Sequence, residues 1–402
     1  MTKKNVIIIT HHYPPEATGG ASRIYEMAES LKRMYNVSIL CPPSTFPFTK
    51  YKKARYLYHK EEYNGQRIIR FWTFQPSRHN PSLGQRILYY AIFPILASFY
   101  LITHLKDVSF IIISVPPSPL LITSLIARLF RKKLLIDVRD LWTDVAVSLS
   151  YIKEDSLILK LARNFENYCL EKSDLIITNS RVVFDTLHSK LNTLNKHKIR
   201  YFPFSVNLES FRRISGISKK MEVVYIGNLG TAQNLNTLIE AFPLVLQKIP
   251  DLKMHFYGGG DREQELKELV KDLKLEKNIQ FNNPVPRNEI PAILSRSMLG
   301  IVALSSNKAV RYALPTKSFE YFALGLPVVA YGSSDELEWV MRESGAGICI
   351  RGDDKKEIGE AIVKLINDKD MLEKYSNNGR KFAEKNNFHS LVIDMQTLIG
   401  EK

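Results

Sequence analysis

The chain has 402 residues, of which 45% are hydrophobic and 24% are charged. This composition excludes a disordered or short-period repeat protein, and the length exceeds one ordinary core, so we expect two domains. Cys41, Cys169 and Cys349 lie far apart and match no metal or disulfide spacing, which favours a reducing cytosol. The opening MTKKNVIIIT has an apolar run too short for a signal peptide and is interpreted as a first buried strand.

The positive charge is concentrated in one half of the chain. The formal net charge is +15, and residues 1–204 hold 29 Lys and Arg against 15 Asp and Glu, a net +14. Two clusters stand out, KYKKARYLYHK from Lys50 to Lys60 and RLFRKK from Arg128 to Lys133. Basic residues interleaved with tyrosines suit an anionic membrane surface better than nucleic acid, and a solvated basic face is the alternative.

Short β-branched runs alternate with amphipathic stretches along the whole chain. Helical periodicity is clear at Ile24, Met27, Ala28 and Leu31. The predicted strands are 6–10, 37–41, 67–71, 110–115, 134–138, 175–178, 199–202, 223–226, 253–257, 278–281, 300–304 and 328–331. Such alternation predicts an α/β protein with parallel sheets and helices on both faces.

The two halves meet at residues 201–220, where neither helical nor strand periodicity survives. We therefore expect an N-terminal Rossmann-like domain over 1–204 and a C-terminal one over 205–385, with a helix at about 386–402 that crosses back to the first. Two doubly wound domains facing a central cleft would both direct the carboxyl ends of their strands at a ligand.

The segment from Ile87 to Leu105 contains no Asp, Glu, Lys or Arg and is long enough to span a bilayer. A span would separate the strands predicted on either side of it, which could not then share a sheet. The interpretations are a true span, a buried crossover helix, and a helix partly exposed to the lipid interface and bent at Pro94.

Glycine-rich loops follow two predicted strands. HHYPPEATGG ends in Gly19 and Gly20 before a helix, and YIGNLG places Gly227 and Gly230 after a strand. Glycines allow close approach of the backbone to a ligand, and a helix N-terminus suits phosphate, although a plain turn would also use glycine. The G-x-G-x-x-G spacing of dinucleotide folds is absent, which lowers NAD and FAD as candidates.

Three charged positions are candidates for chemistry or capping. Arg139 and Asp140 follow the strand LLIDV, where they would orient a polar substrate, stabilise a leaving group or form a local ion pair. Asp261, with Gln264, has the spacing of a helix capping box.

The stretch LPTKSFEYFALGLPVVAY places Lys317 in the first turn of a predicted helix, where the macrodipole disfavours a cation. A diphosphate in front of that helix would reverse the preference. Glu320, one turn later, would then accept hydrogen bonds from ribose hydroxyls. The alternative is a surface Lys–Glu pair at i, i+3.

PTKSFEYFALGLPVVA resembles the nucleotide-sugar signature of the retaining family-four glycosyltransferases with the GT-B fold. The expected companions appear in order over essentially the whole chain, namely YPPEATGG, RDLW, FPFSVNLESF, YIGNLGTAQ and YGGGDREQEL. The chain is most similar to the branch that builds lipid-linked surface polysaccharides, including N-acetylfucosamine-type transferases.

The resemblance implies a role for each matching position. Gly19 and Gly20 would face the donor diphosphate and the acceptor, Lys317 would hold the diphosphate and Glu320 the ribose. The remaining donor contacts implied are Gly227, Asn228 and Gly230 on the phosphate side, and backbone near Pro284 and Val285 at the base.

The chain departs from the family pattern in three places. Many members have a Glu eight residues before the ribose Glu. This chain has Tyr312 at that position, and the departure concerns the contacts to the transferred sugar. The Arg and Lys that many members carry after the glycine loop are missing from GTAQNLNTLIEAFPLVLQ. Arg139-Asp140 stands where some members have His-Asp.

The candidate residues and the family resemblance together predict a metal-independent, retaining glycosyltransferase without a cofactor. Its donor would be a nucleotide diphosphate sugar. The basic first domain would bind a lipid-linked sugar acceptor at the cytoplasmic face of the cell membrane, with no role for nucleic acid. The alternatives are a nucleotide-sugar epimerase or hydrolase on the same fold and a non-catalytic membrane-binding protein.

Overall fold

The computed structural model describes every residue except 1–2, 17, 46–47, 49, 79–80, 149–151, 192, 204–205, 215, 308–309, 388–391 and 394–402. The chain divides into two compact units, Met1–Phe204 with Phe388–Lys402, and Ser205–Asn387. Which unit binds the acceptor and which the donor remains a prediction. Most of the C-terminal helix expected at 386–402 lies outside the described residues, but Val392 is buried in the core of the first unit.

The first unit is built on an eight-stranded sheet of order β3-β4-β2-β1-β5-β6-β7-β8. Only β3 pairs antiparallel, with β4. The strands are β1 Lys4–Thr10, β2 Tyr35–Cys41, β3 Tyr58–Tyr63, β4 Gln66–Phe71, β5 Val108–Val115, β6 Lys133–Val138, β7 Leu175–Thr178 and β8 Ile199–Tyr201. The chain winds outward from β1 in one direction and then from β5 in the other, so the topological switch point lies between β1 and β5.

Helices cover both faces of this sheet. The helices of the first unit are α1 Gly19–Lys32, α2 Leu83–His104, α3 Ile122–Leu129, α4 Trp142–Ser148, α5 Leu157–Glu171 and α6 Arg181–Lys190. Buried residues of α1 pack on one face, with Ile8 and Ile39 of the strands. Buried residues of α2, α3, α5 and α6 share the other face, with Ile111 and Ile136. Right-handed crossovers from a switch point produce this division.

The second unit has a six-stranded parallel sheet of order β11-β10-β9-β12-β13-β14. Its strands are β9 Glu222–Ile226, β10 Lys253–Tyr257, β11 Ile279–Asn282, β12 Leu299–Ala303, β13 Val328–Gly332 and β14 Gly347–Arg351. Its helices are α7 Leu235–Leu246, α8 Glu263–Asp272, α9 Ile290–Arg296, α10 Lys317–Ala323, α11 Asp335–Ser344, α12 Lys355–Asn367 and α13 Lys369–Lys385. Here the switch point lies between β9 and β12.

All twelve predicted strands are confirmed, with ends that differ by at most two residues. Two strands were missed, β3 and β14. β3 reads YHKEEY and is largely exposed at the sheet edge, and the sequence suggested only a basic cluster there. β14, GICIR, is likewise an edge strand, of which only Ile350 is fully buried. Edge strands lack the continuous apolar run that identifies a strand buried on both faces.

The apolar segment predicted at Ile87–Leu105 forms α2. Among the residues described, this is the one helix whose length and composition would allow it to cross a membrane. It connects β4 to β5, which belong to the same sheet, so a transmembrane arrangement is excluded. Phe93, Ala97 and Leu101 are fully buried against the sheet. It is therefore a crossover helix, buried on one face and exposed on the other.

Candidate functional site

In the second unit, the predicted donor residues gather at the carboxyl ends of β9 and β12, the switch point of the sheet. Gly227 directly follows β9, and Lys317 opens α10 after the loop that leaves β12. Ligands of open α/β sheets bind at such a position.

Gly227 and Lys317 lie against each other. Gly227 has φ +144°, and a Cβ built on it would fall 2.7 Å from Lys317 Nζ. Any other residue would be strained there and would push the ammonium group aside. Gly227 therefore makes room for the Lys317 ammonium group at the end of β9. The glycines in the sequence suggested close approach of the backbone to a ligand but not this contact.

Lys317 is the first residue of α10, as predicted, and it is half-buried. Its Nζ lies 3.6 Å from the centroid of the Tyr225 ring, a cation–π contact. Burial lowers the pKa of Lys317 to about 7, and the charge of Glu320 acts in the opposite direction. The side chain is thus held close to its titration point at neutral pH.

Glu320 is buried one turn after Lys317 and takes part in an ion pair. Arg287 donates from Nη1 to Glu320 Oε1 at 2.8 Å. The Arg287 guanidinium also stacks on Phe211, 4.7 Å from the ring centroid. Burial raises the pKa of Glu320, while Arg287 and then Lys317 oppose that shift. The interpretation of Lys317 and Glu320 as a simple exposed surface pair is therefore wrong.

The loop after β10 contacts the loop after β9 through backbone. Leu229 N donates to Gly259 O at 3.0 Å, and a Cβ on Gly258 would lie 1.9 Å from Gly227 O. Pro284, predicted to lie near the nucleotide base, is close to Gly259, since a Cβ there would be 4.0 Å from Pro284 Cγ. Val285 follows in the same connection, after β11. These loops form one continuous rim.

The capping box predicted at Asp261 is wrong. Helix α8 begins at Glu263 with Arg262 at its N-cap, and no side chain caps it. Asp261 instead faces the glycine loop, where its Oδ2 accepts a 3.5 Å hydrogen bond from Thr231. A Cβ on Gly230 would lie 2.9 Å from Asp261 Oδ1. Its position follows from the contact of the two loops, which local spacing does not encode.

Asn228 and Tyr312 occupy different surroundings. The backbone oxygen of Asn228 accepts a 2.7 Å hydrogen bond from the Tyr225 hydroxyl, which places it beside Lys317. Tyr312 is 49% exposed, and the Arg311 guanidinium lies 5.5 Å from its ring centroid. The structure therefore brings Asn228 to the cation, whereas Tyr312 packs with its neighbour.

In the first unit, Gly19 and Gly20 form the start of α1, which Thr18 caps by accepting a hydrogen bond from Ala21 N at 3.1 Å. A Cβ on Gly20 would lie 1.7 Å from Arg139 Nη1. The Arg139 guanidinium thus covers the N-terminus of α1, held by a 2.8 Å hydrogen bond from Nη2 to Pro116 O. A helix N-terminus and a guanidinium together suit an anion.

Asp140 and His11 flank this position differently. Asp140 is exposed, and no hydrogen bond or ion pair joins it to Arg139 among the described residues. His11 is buried against Tyr89 and Tyr90, with ring centroids 4.5 and 5.0 Å away. Burial, then His12 and Arg139, lower the pKa of His11, so it stays neutral. The local ion pair considered for Arg139 and Asp140 does not form.

A fully buried ion pair lies beneath the loops of the first unit. Arg23 of α1 binds Asp137 of β6 at 2.9 Å, and Ser114 donates to the same carboxylate at 2.8 Å. Arg23 also donates to the backbone oxygens of Phe202 and Pro203, both at 3.2 Å. Arg23 thereby joins α1 to the sheet and to the chain segment that leaves the unit.

The second unit also carries the sequence match. Residues 208–382 match the family model described as glycosyl transferases group 1. A protein of Escherichia coli K12 named as a colanic acid biosynthesis glycosyl transferase, WcaI, is 23% identical over 94% of this chain and 95% of its own length. Most of the second unit is therefore similar to the group 1 glycosyltransferases.

Similarity to known glycosyltransferases is broader in fold than in sequence. The poly(glycerol-phosphate) alpha-glucosyltransferase of Bacillus subtilis is 26% identical over 42% of this chain, which spans only 24% of that protein. Sucrose-phosphate synthase from Thermosynechococcus elongatus superposes with TM-score 0.69 and 16% identity, covering 98% of both chains. HepE from Anabaena, solved with UDP-glucose, gives 0.65 and 13%, covering 98% and 99%. These structures establish the GT-B fold.

Two parts of these candidate sites were not found from the sequence. Arg287 lies 33 residues before its partner Glu320, and Arg23 lies 114 residues before Asp137. Arg287 follows the predicted base-binding Pro284 and Val285 so closely that its proximity gave a weak signal. Arg23 gave none, because an Arg on an amphipathic helix is normally solvent-exposed.

The first unit has a basic cavity of about 830 Å³. Its lining includes Pro15, Tyr51, Lys52, Lys53, Arg55 and Tyr56. These residues come from the loop after β1 and from the Lys50–Lys60 cluster, so the cluster contributes to a concave surface. Among the described residues, no group of three His, Cys, Asp or Glu side chains is placed to hold a metal ion.

Proposed function

We propose that the protein transfers a sugar from a nucleotide diphosphate sugar to a lipid-linked saccharide acceptor in surface polysaccharide or glycan assembly. The match to the family model supports glycosyl transfer, and the named relatives support a polysaccharide or polymer product. UDP-sugars are the first donors to test because HepE, which shares the fold, is solved with UDP-glucose. No observation favours the epimerase or hydrolase alternative.

The placement of Lys317 carries the proposal. Its ammonium group lies beside Gly227, at the N-terminus of α10, over the Tyr225 ring. A diphosphate there would meet the cation and the positive end of the dipole of α10 at once. Negative charge grows on the departing phosphate during transfer, so these same groups would lower the barrier.

Glu320 and the rim of loops would hold the nucleoside. Arg287 uses Glu320 Oε1, and Oε2 is the oxygen that we propose for the ribose hydroxyls. The backbone of Pro284 and Val285 would meet the base, and Gly227, Asn228 and Gly230 the phosphate side. The ion pair with Arg287 opposes the rise in the pKa of Glu320 that burial causes, and an ionised carboxylate accepts hydrogen bonds at both oxygens.

The proposed chemistry is a front-face displacement with retention, as the family resemblance implies. The bond from the anomeric carbon to the leaving phosphate oxygen breaks, and the acceptor oxygen bonds the same face of that carbon. The acceptor proton passes to the departing phosphate oxygen. Neither a metal nor a cofactor is invoked, and Lys317 would supply the positive charge. Tyr312 stands where many relatives have Glu and would alter contacts to the transferred sugar.

The acceptor is proposed to bind the first unit, near Gly19, Gly20, Arg139 and Asp140. Arg139 over the N-terminus of α1 suits a phosphate or another anionic group. The net charge of +14 over residues 1–204 suits a polyprenyl phosphate- or diphosphate-linked sugar in a membrane. We therefore propose a cytoplasmic, peripheral enzyme on the inner face of the cell membrane.

The test is product analysis with a panel of UDP, GDP, ADP and dTDP sugars, with and without a lipid-linked saccharide acceptor. We expect one donor to yield nucleotide and glycosylated acceptor in equal amounts, with the anomeric configuration retained. Rapid nucleotide release without acceptor would instead identify a hydrolase. Conversion of the donor sugar without release of nucleotide would identify an epimerase.

A further inference from the structure

The outward face of α2 is apolar along its length. Its exposed large residues are Ile87, Leu88, Ile95, Phe99 and Ile102, and the last four recur at the spacing of one helical face. Fourteen residue steps of 1.5 Å from Leu88 to Ile102 give this stripe a length of about 21 Å. The opposite face of α2 packs against the sheet, so the exposed stripe does not contribute to the core of this unit.

Helix α3 extends this apolar surface. It packs beside α2 on the same side of the sheet, and its exposed large residues are Ile122, Leu125 and Leu129, followed by Phe130. Leu129 is 74% exposed and Phe99 is 65% exposed, so these two side chains bury little apolar surface within the fold. Contiguous apolar surface of this kind marks a contact with a partner or a membrane. We name these residues of the two helices the α2–α3 face.

Basic residues border the face where the two helices end. Lys106 follows α2, and Arg128, Arg131 and Lys133 lie at or just after the end of α3, all exposed. Lys132 Nζ donates to the backbone oxygens of Lys106 and Val108 at 3.1 and 2.8 Å, which joins these two ends. The RLFRKK cluster of the sequence therefore adjoins the end of α2.

Acidic residues are almost absent from this region. Residues 63–136 contain nine Lys and Arg but a single acid, Asp107. An apolar stripe bordered by uncompensated positive charge matches an anionic lipid surface, where acyl chains accept the apolar residues and headgroups the basic ones. A second copy of this chain would bring an identical basic border against the first, which opposes self-association through the face.

We propose that the α2–α3 face, with the basic residues at its border, docks on the anionic leaflet of the membrane. The inference rests on the proposed function, because a lipid-linked acceptor requires the enzyme at a bilayer. It separates the two basic clusters of the sequence: Arg128–Lys133 would contact headgroups, whereas Lys50–Lys60 lines the cavity and would contact the acceptor.

The experiment is sedimentation of the full chain, without donor, with phosphatidylcholine vesicles that contain or lack phosphatidylglycerol. The double variant Phe99→Glu, Leu129→Glu should lose about tenfold or more of its binding to anionic vesicles. Leu57→Glu is the matched control, since Leu57 is 67% exposed and belongs to the other cluster, and it should bind as the parent does. Thermal unfolding confirms that each variant is folded.

A second pair of variants tests the charge. Arg128→Glu with Arg131→Glu should weaken binding to anionic vesicles, whereas Lys52→Glu with Lys53→Glu should not. The reverse result would overturn the proposal. So would a change of oligomeric state in the Phe99→Glu, Leu129→Glu variant with vesicle binding intact, which would assign the face to a second copy.

A direct contact measurement guards against loss of folding in the glutamate variants. An environment-sensitive dye on Phe99→Cys, in a Cys349→Ser background, should shift to the blue on anionic vesicles, and the same dye on Leu57→Cys should not. Absence of the shift at position 99 would contradict docking. UDP-glucose binding without vesicles is measured in parallel, so failure of the docking face and failure of the donor site are told apart.

Discussion

In the first unit the glycine loop after β1 is overlaid by Arg139, and in the second unit the glycine loop after β9 is overlaid by Lys317. Both cations lie at the switch point of a doubly wound sheet, beside a helix N-terminus. Arg139 is held by the backbone oxygen of Pro116, whereas Lys317 rests on the ring of Tyr225. The same loop architecture thus supports a fixed cation in one unit and a titratable one in the other.

The difference suggests a division of labour. An arginine keeps its charge at any physiological pH and suits a permanent anchor for an anionic acceptor. A lysine with a pKa near 7 binds an arriving diphosphate by taking up a proton, and it can respond to the charge that develops during transfer. Each of the following changes is aimed at one side of this comparison.

The largest effect is expected from Arg23→Ala. It leaves Asp137 as a buried charge without its partner, which typically costs about 3–5 kcal/mol. Urea unfolding followed by circular dichroism would measure the loss of the free energy of unfolding. Arg351→Ala, which removes an exposed pair with Glu338, is the control and should cost less than about 1 kcal/mol. Equal losses in the two variants would show that the buried pair does not hold the first unit together.

Lys317→Ala should lower kcat by about 10²–10³, the usual effect of removing one group that stabilises transition-state charge. The rate of nucleotide release with saturating donor and acceptor is the measurement. Lys364→Ala, an exposed lysine of α12, is the control and should leave the rate unchanged. Near-parental turnover in Lys317→Ala would remove the cation from the mechanism.

Gly227→Ala should raise the KM for donor by about tenfold, because the new methyl group would displace Lys317 Nζ. Gly352→Ala is a matched control: that glycine also has positive φ, +103°, but a Cβ there would meet nothing within 4 Å. Both variants carry backbone strain, so a comparable loss of stability is expected. Only the first should lose donor affinity, and an equal rise in KM in both would attribute the effect to strain alone.

The smallest effect is a pH dependence of donor affinity. Lys317 is protonated below a pKa of about 7, and a bound diphosphate raises that pKa, so affinity for UDP-glucose should be highest below pH 7. It should then fall with rising pH by at most about tenfold per unit. The measurement is calorimetric titration between pH 6 and 9, and Lys317→Arg should give a flat profile. A parental profile as flat as that of the arginine variant would argue against titration of Lys317.

The sequence predicted the parts of this molecule that depend on local periodicity. Buried strands such as β6 were located to within one residue, and Lys317 and Glu320 were placed on one helix because their spacing is helical. The edge strands β3 and β14 were missed, since neither has the continuous buried run of a central strand. The assignment of Asp261 as a cap failed because a tertiary contact with the Gly230 loop fixes its position instead.

Contacts between distant positions could not be predicted from one sequence. Arg287 reaches Glu320 from another connection of the sheet, and Arg23 meets Asp137 only because the fold brings the start of α1 close to β6. The pKa of Lys317 is lowered by burial, which the sequence of its own helix does not reveal. The spacing in the sequence identified Lys317 and Glu320, whereas burial in the folded protein sets the direction in which their pKa values shift.

The most direct test of the account is calorimetric titration of UDP into Lys317→Ala and Arg139→Ala at pH 7. We predict that Lys317→Ala binds UDP about tenfold or more weakly than the parent, because a charge-assisted contact is lost. Arg139→Ala should bind UDP as the parent does, since the nucleotide is assigned to the second unit. Unchanged binding in Lys317→Ala with weakened binding in Arg139→Ala would contradict the account.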